Sequence, residues 1–338
     1  MKAAQIILLI CWTLVVVLLV AVLVAAINGW NIPGIHFRGS WIVSDIVGSG
    51  ENSDFDGTIP GTGEAEVEAN GIEKIDIVWR SGEVLFLRHG EDTIKFVQAG
   101  NNIDNNQKMK YIVEGNELKI RDGDEKWLNL GRWRETYLTI YIPESVELVD
   151  EISVSGAATG INITEGFDGF GLGRLELDTA SGEIEVSGVS CTDVYISSVS
   201  GSVKFEGIDS EELSVESVSG NITAEDAISD RVYIETVSGG AVMSGSFREV
   251  DSETVSGSMS VSSAVCPDRI ASEAISGSFT LQIPENEGFT LEYSKKSGKI
   301  SCSFVTTQAQ DMLVYGNGAA HFSFDTVSGD VNIVKAAG

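Results

Sequence analysis

The chain has 338 residues, 43% of them apolar, which is enough for a sizeable core. Glycine is high at 37 and proline low at 5, a composition unlike that of a disordered chain. Against 22 basic residues stand 50 acidic ones, and the formal net charge of −28 excludes nucleic acid as a partner, repels anionic lipid headgroups and favours cations or a basic partner.

Residues 6–27 read IILLICWTLVVVLLVAVLVAAI, uncharged and with Thr13 alone polar. At 1.5 Å per residue this run covers roughly 30 Å, the thickness of a bilayer core. It is longer than the apolar core of a signal peptide, about 7–15 residues, so it is expected to stay as a single-pass anchor. Cleavage after Val24-Ala25-Ala26 is the alternative. Cys11 follows Ile10, which is too large for a lipobox, so a lipoprotein is disfavoured. Lys2 precedes the run and a heavily acidic stretch follows it, which predicts a cytoplasmic N-terminus and an extracytoplasmic bulk. Residues 28–63 read as a juxtamembrane linker. Its Trp30, Phe37 and Trp41 fit either the headgroup level or the first rung of the domain beyond.

From residue 64 to 338 the sequence repeats. A Ser-Gly pair ends at Gly182, Gly201, Gly220, Gly239, Gly257 and Gly277, with spacings of 19, 19, 19, 18 and 20. Gly298 and Gly329 continue the series, and Gly82 and Gly156 precede it less regularly. A period near 20 signals stacked rungs. Seven residues before the Gly stand Ile75, Leu175, Val194, Leu213, Val232, Val250, Ile270, Leu291 and Phe322; five before stand Ile77, Leu177, Ile196, Val215 and Ile234. Two before stand Val199, Val218, Val237, Val255, Ile275 and Val327. Two and four after stand further aliphatic or aromatic residues, such as Val203 and Phe205. Steps of two mark strands, and the step of three between the second and third slots marks a bend. The prediction is an all-β parallel solenoid whose rungs are two short strands joined at a corner, with all five slots facing inward.

The Gly itself has two candidate reasons: a bend that needs positive φ, or an inward position with no room for a side chain. Arg80, Lys296, Ser252 and Ser272 break the apolar slots, which predicts loosening or outward rotation there.

Four residues before the Gly lie Asp178, Glu216, Glu235, Glu253, Glu273 and Asp325, which alternation places outward. Rungs about 4.8 Å apart would line up Glu216, Glu235, Glu253 and Glu273 as a carboxylate column. A divalent cation such as calcium would offset their repulsion; a solvated face is the simpler reading. Cys191 and Cys266 lie four rungs, roughly 19 Å, apart, too far for a disulfide, and Cys302 falls in an apolar slot and should be buried. His36, His89 and His321 have no ligand or triad spacing, so no catalytic residue is assigned. Gly169-Phe-Gly171-Leu-Gly173 lacks the strand–helix setting of a nucleotide loop. Residues 321–334 form the last rung in sequence, with no polar cap after it. Its bare edge is expected to dock a partner or a second copy, end to end.

The Thr-Val-Ser-Gly rungs are joined by three further segments: Phe279-Thr-Leu-Gln-Ile-Pro-Glu-Asn-Glu-Gly-Phe-Thr-Leu, the closing GNGAAHFSFDTVSGDVNI, and Leu138-Thr-Ile-Tyr-Ile-Pro143 followed by Ile152-Ser-Val-Ser-Gly156. Together they resemble the bacterial putative-adhesin family of unknown function, also called toast-rack-like, over about residues 64–338. The resemblance implies a membrane-associated envelope protein with a β-solenoid domain and carries over no catalytic residues. The expected function is a non-catalytic, membrane-anchored binding or adhesion module outside the cytoplasm. An envelope-stress accessory acting with a membrane partner is the alternative. A carbohydrate-active enzyme is the remote one, opposed by the scarcity of Arg and Lys.

Overall fold

A computed structural model describes residues 63–101, 103–123, 135–164, 166–309 and 312–336. The expected anchor (6–27) and all but the last residue of the linker, with Cys11, His36 and the three aromatic residues named there, lie outside the described residues. Among the described residues no helix is long and apolar enough to cross a membrane. They form 25 strands and one short 3-10 helix, Asn105–Gln107.

The strands form two parallel ladders, one on each side of the repeat glycine. On the first side Lys74–Val78, Leu148–Gly156, Phe170–Thr179, Val189–Ser198 and Asp209–Ser217 lie in sequence, each hydrogen-bonded to the next. On the second side Ser81–His89, Ala158–Ile163, Ile184–Ser187 and Val203–Glu206 do the same. Two longer strands, Ile222–Thr236 and Ala241–Thr254, run through both ladders. Between them the register slips at Ala224–Ala227, where Asp226 takes a φ of 52°. Each coil sits one repeat from its neighbour: Val194 faces Leu213, Leu213 faces Val232, and Val232 faces Val250.

Four of the five apolar slots face the shared core. Leu175, Val194, Leu213, Val232, Val250, Ile270 and Phe322 are buried, as are Ile196, Val215 and Ile234, Val203 and Ile222, and Phe205 and Val261. At about 1.5–3 kcal/mol per buried side chain, four slots stabilise a coil by roughly 6–12 kcal/mol, realised only when neighbours cover it.

The fifth slot is a correction. Val199, Val255, Ile275 and Val327 are exposed at 36%, 43%, 54% and 42%, and Val218 and Val237 are half-buried. The inward residue is instead the one three before the Gly: Thr179, Ser198, Ser217, Thr236, Thr254 and Thr326 are all buried. The strand keeps its alternation from the slot five before to the slot three before, and the bend falls one residue later than expected. The coils nevertheless remain in register, because the amides of Val218, Val237 and Val255 bond the carbonyls of Ser198, Ser217 and Thr236 at 3.1, 3.1 and 3.2 Å.

The reason for the Gly is close approach. A Cβ on Gly201, Gly220, Gly239, Gly257 or Gly277 would lie 1.7–2.0 Å from the carbonyl oxygen of the Gly one coil before. Of the ten Ser-Gly glycines named in the repeat series, only Gly82 and Gly298 have positive φ, 111° and 104°.

Ser252 and Ser272 do not rotate outward; both are buried, with Ser272 beside Phe324 in the ladder. The Ser252 hydroxyl has no hydrogen-bond partner. Ser252→Ala removes this orphaned group while adding no volume. It is expected to leave the chain as stable or up to about 1 kcal/mol more stable in urea titration.

A second correction concerns the C-terminal rung. Ala320–Ser328 pairs with Arg269–Ala274 on one side and Gly288–Ser297 on the other; Val331–Lys335 pairs with Phe279–Ile283 and Ile300–Cys302. The last coil in sequence is therefore interior, and the edge expected to dock a second copy is already paired. The end of the stack is made by 288–302, whose strand Gly288–Ser297 is covered by Met312–Gly316, running antiparallel. Phe289 stacks on Phe322 with centroids 4.9 Å apart and meets Phe304 and Tyr315 at 5.3 and 5.4 Å. The opposite end is also antiparallel: Thr93–Gly100 pairs with Thr136–Pro143 and with Glu64–Glu68. Arg88 fastens this end, its guanidinium bonding the Glu144 and Val146 carbonyls at 3.1 and 2.7 Å and lying 4.6 Å from the Phe170 ring centroid.

Candidate binding corner

The Thr/Ser-Val-Ser-Gly motif builds one corner of the coils that end at Gly201, Gly220, Gly239, Gly257 and Gly329, with Ala-Ile-Ser-Gly at Gly277, and three of its four residues have a structural task. The inward hydroxyl closes the turn: Ser198, Ser217 and Thr236 donate to the carbonyls of Gly201, Gly220 and Gly239 at 3.0, 2.9 and 3.0 Å. Such three-residue hydroxyl turns compete well with regular backbone pairing at bends. The outward Ser clamps coil to coil. Ser200 donates to Ala180, Ser219 to Val199, Ser238 to Val218, Ser256 to Val237 and Ser276 to Val255, each carbonyl lying 3.0–3.3 Å away. The same carbonyls also accept the amide of that Ser. The glycine fits where a Cβ cannot.

The aliphatic residue is left over. Only its backbone is used, yet Val199, Val218, Val237, Val255, Ile275 and Val327 follow one another up six adjacent coils, Val218 and Val237 half-buried and the other four exposed. Thr, equally β-branched, would suit the backbone as well. None of the six positions has it.

Beside this stripe runs the predicted carboxylate column. Glu216 faces Glu235, Glu235 faces Glu253, Glu253 faces Glu273, and Glu273 faces Asp325. Glu216 and Glu235 are half-buried; Glu253 and Glu273 are exposed. The structure brings all four into line but does not converge them on a point. Among the described residues no group of three or more His, Cys, Asp or Glu is placed to hold a metal ion, so the calcium expectation finds no cage here.

Burial first, and the Glu253 charge second, push the Glu235 carboxyl above its ordinary value of 4.5. A carboxyl whose pKa is raised by folding stabilises the fold while it is protonated. That contribution is present below the unfolded pKa and is lost as pH rises through the folded one. Glu235→Gln is thus expected to raise the melting temperature more at pH 7 than near pH 4. The gain stays under about 1 kcal/mol, because the group is partly solvated.

Two recesses lie elsewhere. A groove of about 590 Å³ crosses the coils near the entry to the first ladder, floored by Leu172, Cys191, Ser210, Ser229 and Phe247 and edged by the exposed Leu148, Ile228 and Val265. The repeat pattern does not mark it, since its floor residues, ten before each Gly, share no common type. A smaller recess of about 380 Å³ gathers Glu83, Glu135, Glu183 and Glu185 near Tyr137.

The three described cysteines are free. Burial pushes the Cys191 thiol up to about 12 and the Cys266 thiol up to about 11. Cys302 is half-buried rather than buried, because its coil is the outermost of its ladder. His89 bonds the Thr93 carbonyl at 2.7 Å, and its ring packs edge-on against Tyr141. His321 lies opposite Arg269 in the ladder.

Several solved structures are similar to this chain. A putative adhesin from Parabacteroides distasonis is similar with a TM-score of 0.52 at 10% identity, over 80% of this chain and 96% of that one. A putative adhesin from Bacteroides fragilis is similar with a TM-score of 0.48 at 18% identity, over 65% of this chain and 95% of that one. A putative lipid binding protein from Parabacteroides distasonis gives 0.47 at 17% identity, over 83% of this chain and all of that one. No curated protein matches the sequence. The family model described as Toastrack DUF4097 matches residues 72–334, from the first parallel strand to the penultimate residue of the last, and the chain belongs to that family.

Proposed function

We propose that this chain is a non-catalytic binding or adhesion module, tethered to the membrane by residues 6–27 and presenting its coils outside the cytoplasm. One observation carries the reading: six successive coils carry an aliphatic residue at a corner where the fold requires none, four of them exposed and Val218 and Val237 half-buried. A contiguous exposed apolar stripe on a soluble surface marks an interaction site. The coils are also a regular support, since rigid elements hold binding groups more accurately than loops. The names of the similar structures, adhesins and a lipid binding protein, agree with binding and supply no reaction.

The test has two parts. Cell fractionation with external protease should find the chain in the membrane with its coils digestible from outside; recovery in the cytosol would sink the tether. Residues 5–27 should then be replaced by an unrelated anchor. A binding module keeps its attachment phenotype after that exchange, whereas an envelope-stress accessory, working through packing of its own helix, loses its effect.

A further inference from the structure

We infer that the valine corner is the seat of an amphipathic α-helix with a basic flank, about 16 residues long; this rests on the binding reading above. The stripe Val199–Val218–Val237–Val255–Ile275–Val327 has five steps of about 4.8 Å, roughly 24 Å in all. A helix rising 1.5 Å per residue covers that length in about 16 residues. The pitch also selects a helix. Residues three and four apart on a helix rise about 4.5 and 6.0 Å, bracketing the coil spacing, whereas alternate side chains of an extended strand repeat at roughly 6.6 Å and fall out of step.

Charge selects the flank. Glu216, Glu235, Glu253, Glu273 and Asp325 follow the stripe on one side, two residues back along each coil; Glu216 and Glu235 are half-buried and the other three exposed. Lys or Arg on one border of the helix would meet this column while the apolar face covers the valines. On the other side stand Ser200, Ser219, Ser238, Ser256 and Ser276, whose hydroxyls are already engaged and carry no charge. A second copy of this chain is a poor occupant: pairing two stripes brings carboxylates together within a complex of two chains each at −28. An anionic bilayer is repelled by the same column.

The experiment uses the full chain in phosphatidylcholine nanodiscs and three fluorescent 16-residue peptides. One has a leucine face bordered by lysines, one has the same composition scrambled, and one has glutamates in place of the lysines. The lysine helix is expected to bind in the micromolar range, at least tenfold tighter than the other two, and to weaken steeply from 50 to 300 mM salt. Binding should fall at least tenfold in a Val218→Thr, Val237→Thr, Val255→Thr variant and in a Glu235→Gln, Glu253→Gln variant, both checked for unchanged circular dichroism. Should the Thr variant not fold, salt dependence and the scrambled peptide still decide. Equal binding of the scrambled peptide, or undiminished binding by the folded variants, overturns the proposal. So does a Val-dependent dimer in light scattering, or Val-dependent capture by phosphatidylglycerol vesicles, each of which assigns the stripe to another occupant. Recovery of the chain in the cytosol would sink the tether alone and leave the peptide result standing.

Discussion

Removal of residues 320–338 is expected to unfold the whole end of the stack rather than trim it. The cut takes out a coil bonded on both sides, so Arg269–Ala274 and Phe279–Ile283 become open edges, and Gly288–Ser297 and Ile300–Cys302 lose the parallel neighbours that hold them. Phe322, Phe324, Val331 and Ile333 leave the core together, and Phe289 loses its stacking partner. Four such side chains represent roughly 6–12 kcal/mol of burial, comparable with the entire stability of an ordinary domain, about 5–15 kcal/mol. Limited proteolysis should cut the truncated chain throughout 285–319, and the open edges should make it aggregate. A truncated chain that stays protease-resistant and monomeric would show that the last coil lies at the end after all.

The second large effect comes from one methyl group. Gly220→Ala sets a Cβ 1.8 Å from the Gly201 carbonyl oxygen, which is backbone and cannot turn aside as a side chain could. Overpacking usually costs about 1–3 kcal/mol, and a clash between two hydrogen-bonded coils belongs at the top of that range. A loss of about 3 kcal/mol corresponds to a melting temperature lower by roughly 10 °C. Gly240→Ala is the control, because its Cβ would find nothing closer than the Ser258 carbonyl oxygen at 3.5 Å. It is expected to change stability by less than about 0.5 kcal/mol. Equal melting temperatures for the two variants would remove close approach as the reason for the repeat glycine.

Much of this was legible in the sequence because a repeat reports its own register. Once the glycines are aligned, Val194, Leu213 and Val232 can only be stacked neighbours, and their burial follows from alternation. The corner lies one residue from its expected place because Val is the more hydrophobic member of Thr-Val, and apolarity alone points it inward. Turn chemistry decides otherwise: a hydroxyl three residues before Gly can reach the Gly carbonyl, so Ser217 and Thr236 turn in and Val218 and Val237 turn out. That hydroxyl was the available signal. The interior place of the last coil had no local signal, since Phe322 and Val331 look like any other rung. Only the pairing shows that the chain passes over one position, builds the outer coil, and returns. The groove near Phe247 likewise depends on which residues three-dimensional stacking brings side by side.

The corner hydrogen bonds determine where this molecule can change length. From seven residues before each glycine to four after it, the backbone is committed to the ladders, the turn or the clamp between coils. Spacings of 18 to 21 residues are therefore absorbed in the remaining arc, which includes the segments around Ala224–Ala227 and Ile283–Gly288. Insertions in that arc can vary freely from coil to coil without disturbing the valine edge. Gaining or losing one whole repeat lengthens or shortens that edge by a single step of about 4.8 Å while both closing ends stay as they are. Descendants of this chain thus have a simple way to adjust the reach of the surface they present, in discrete increments and with no redesign of the parts that seal it.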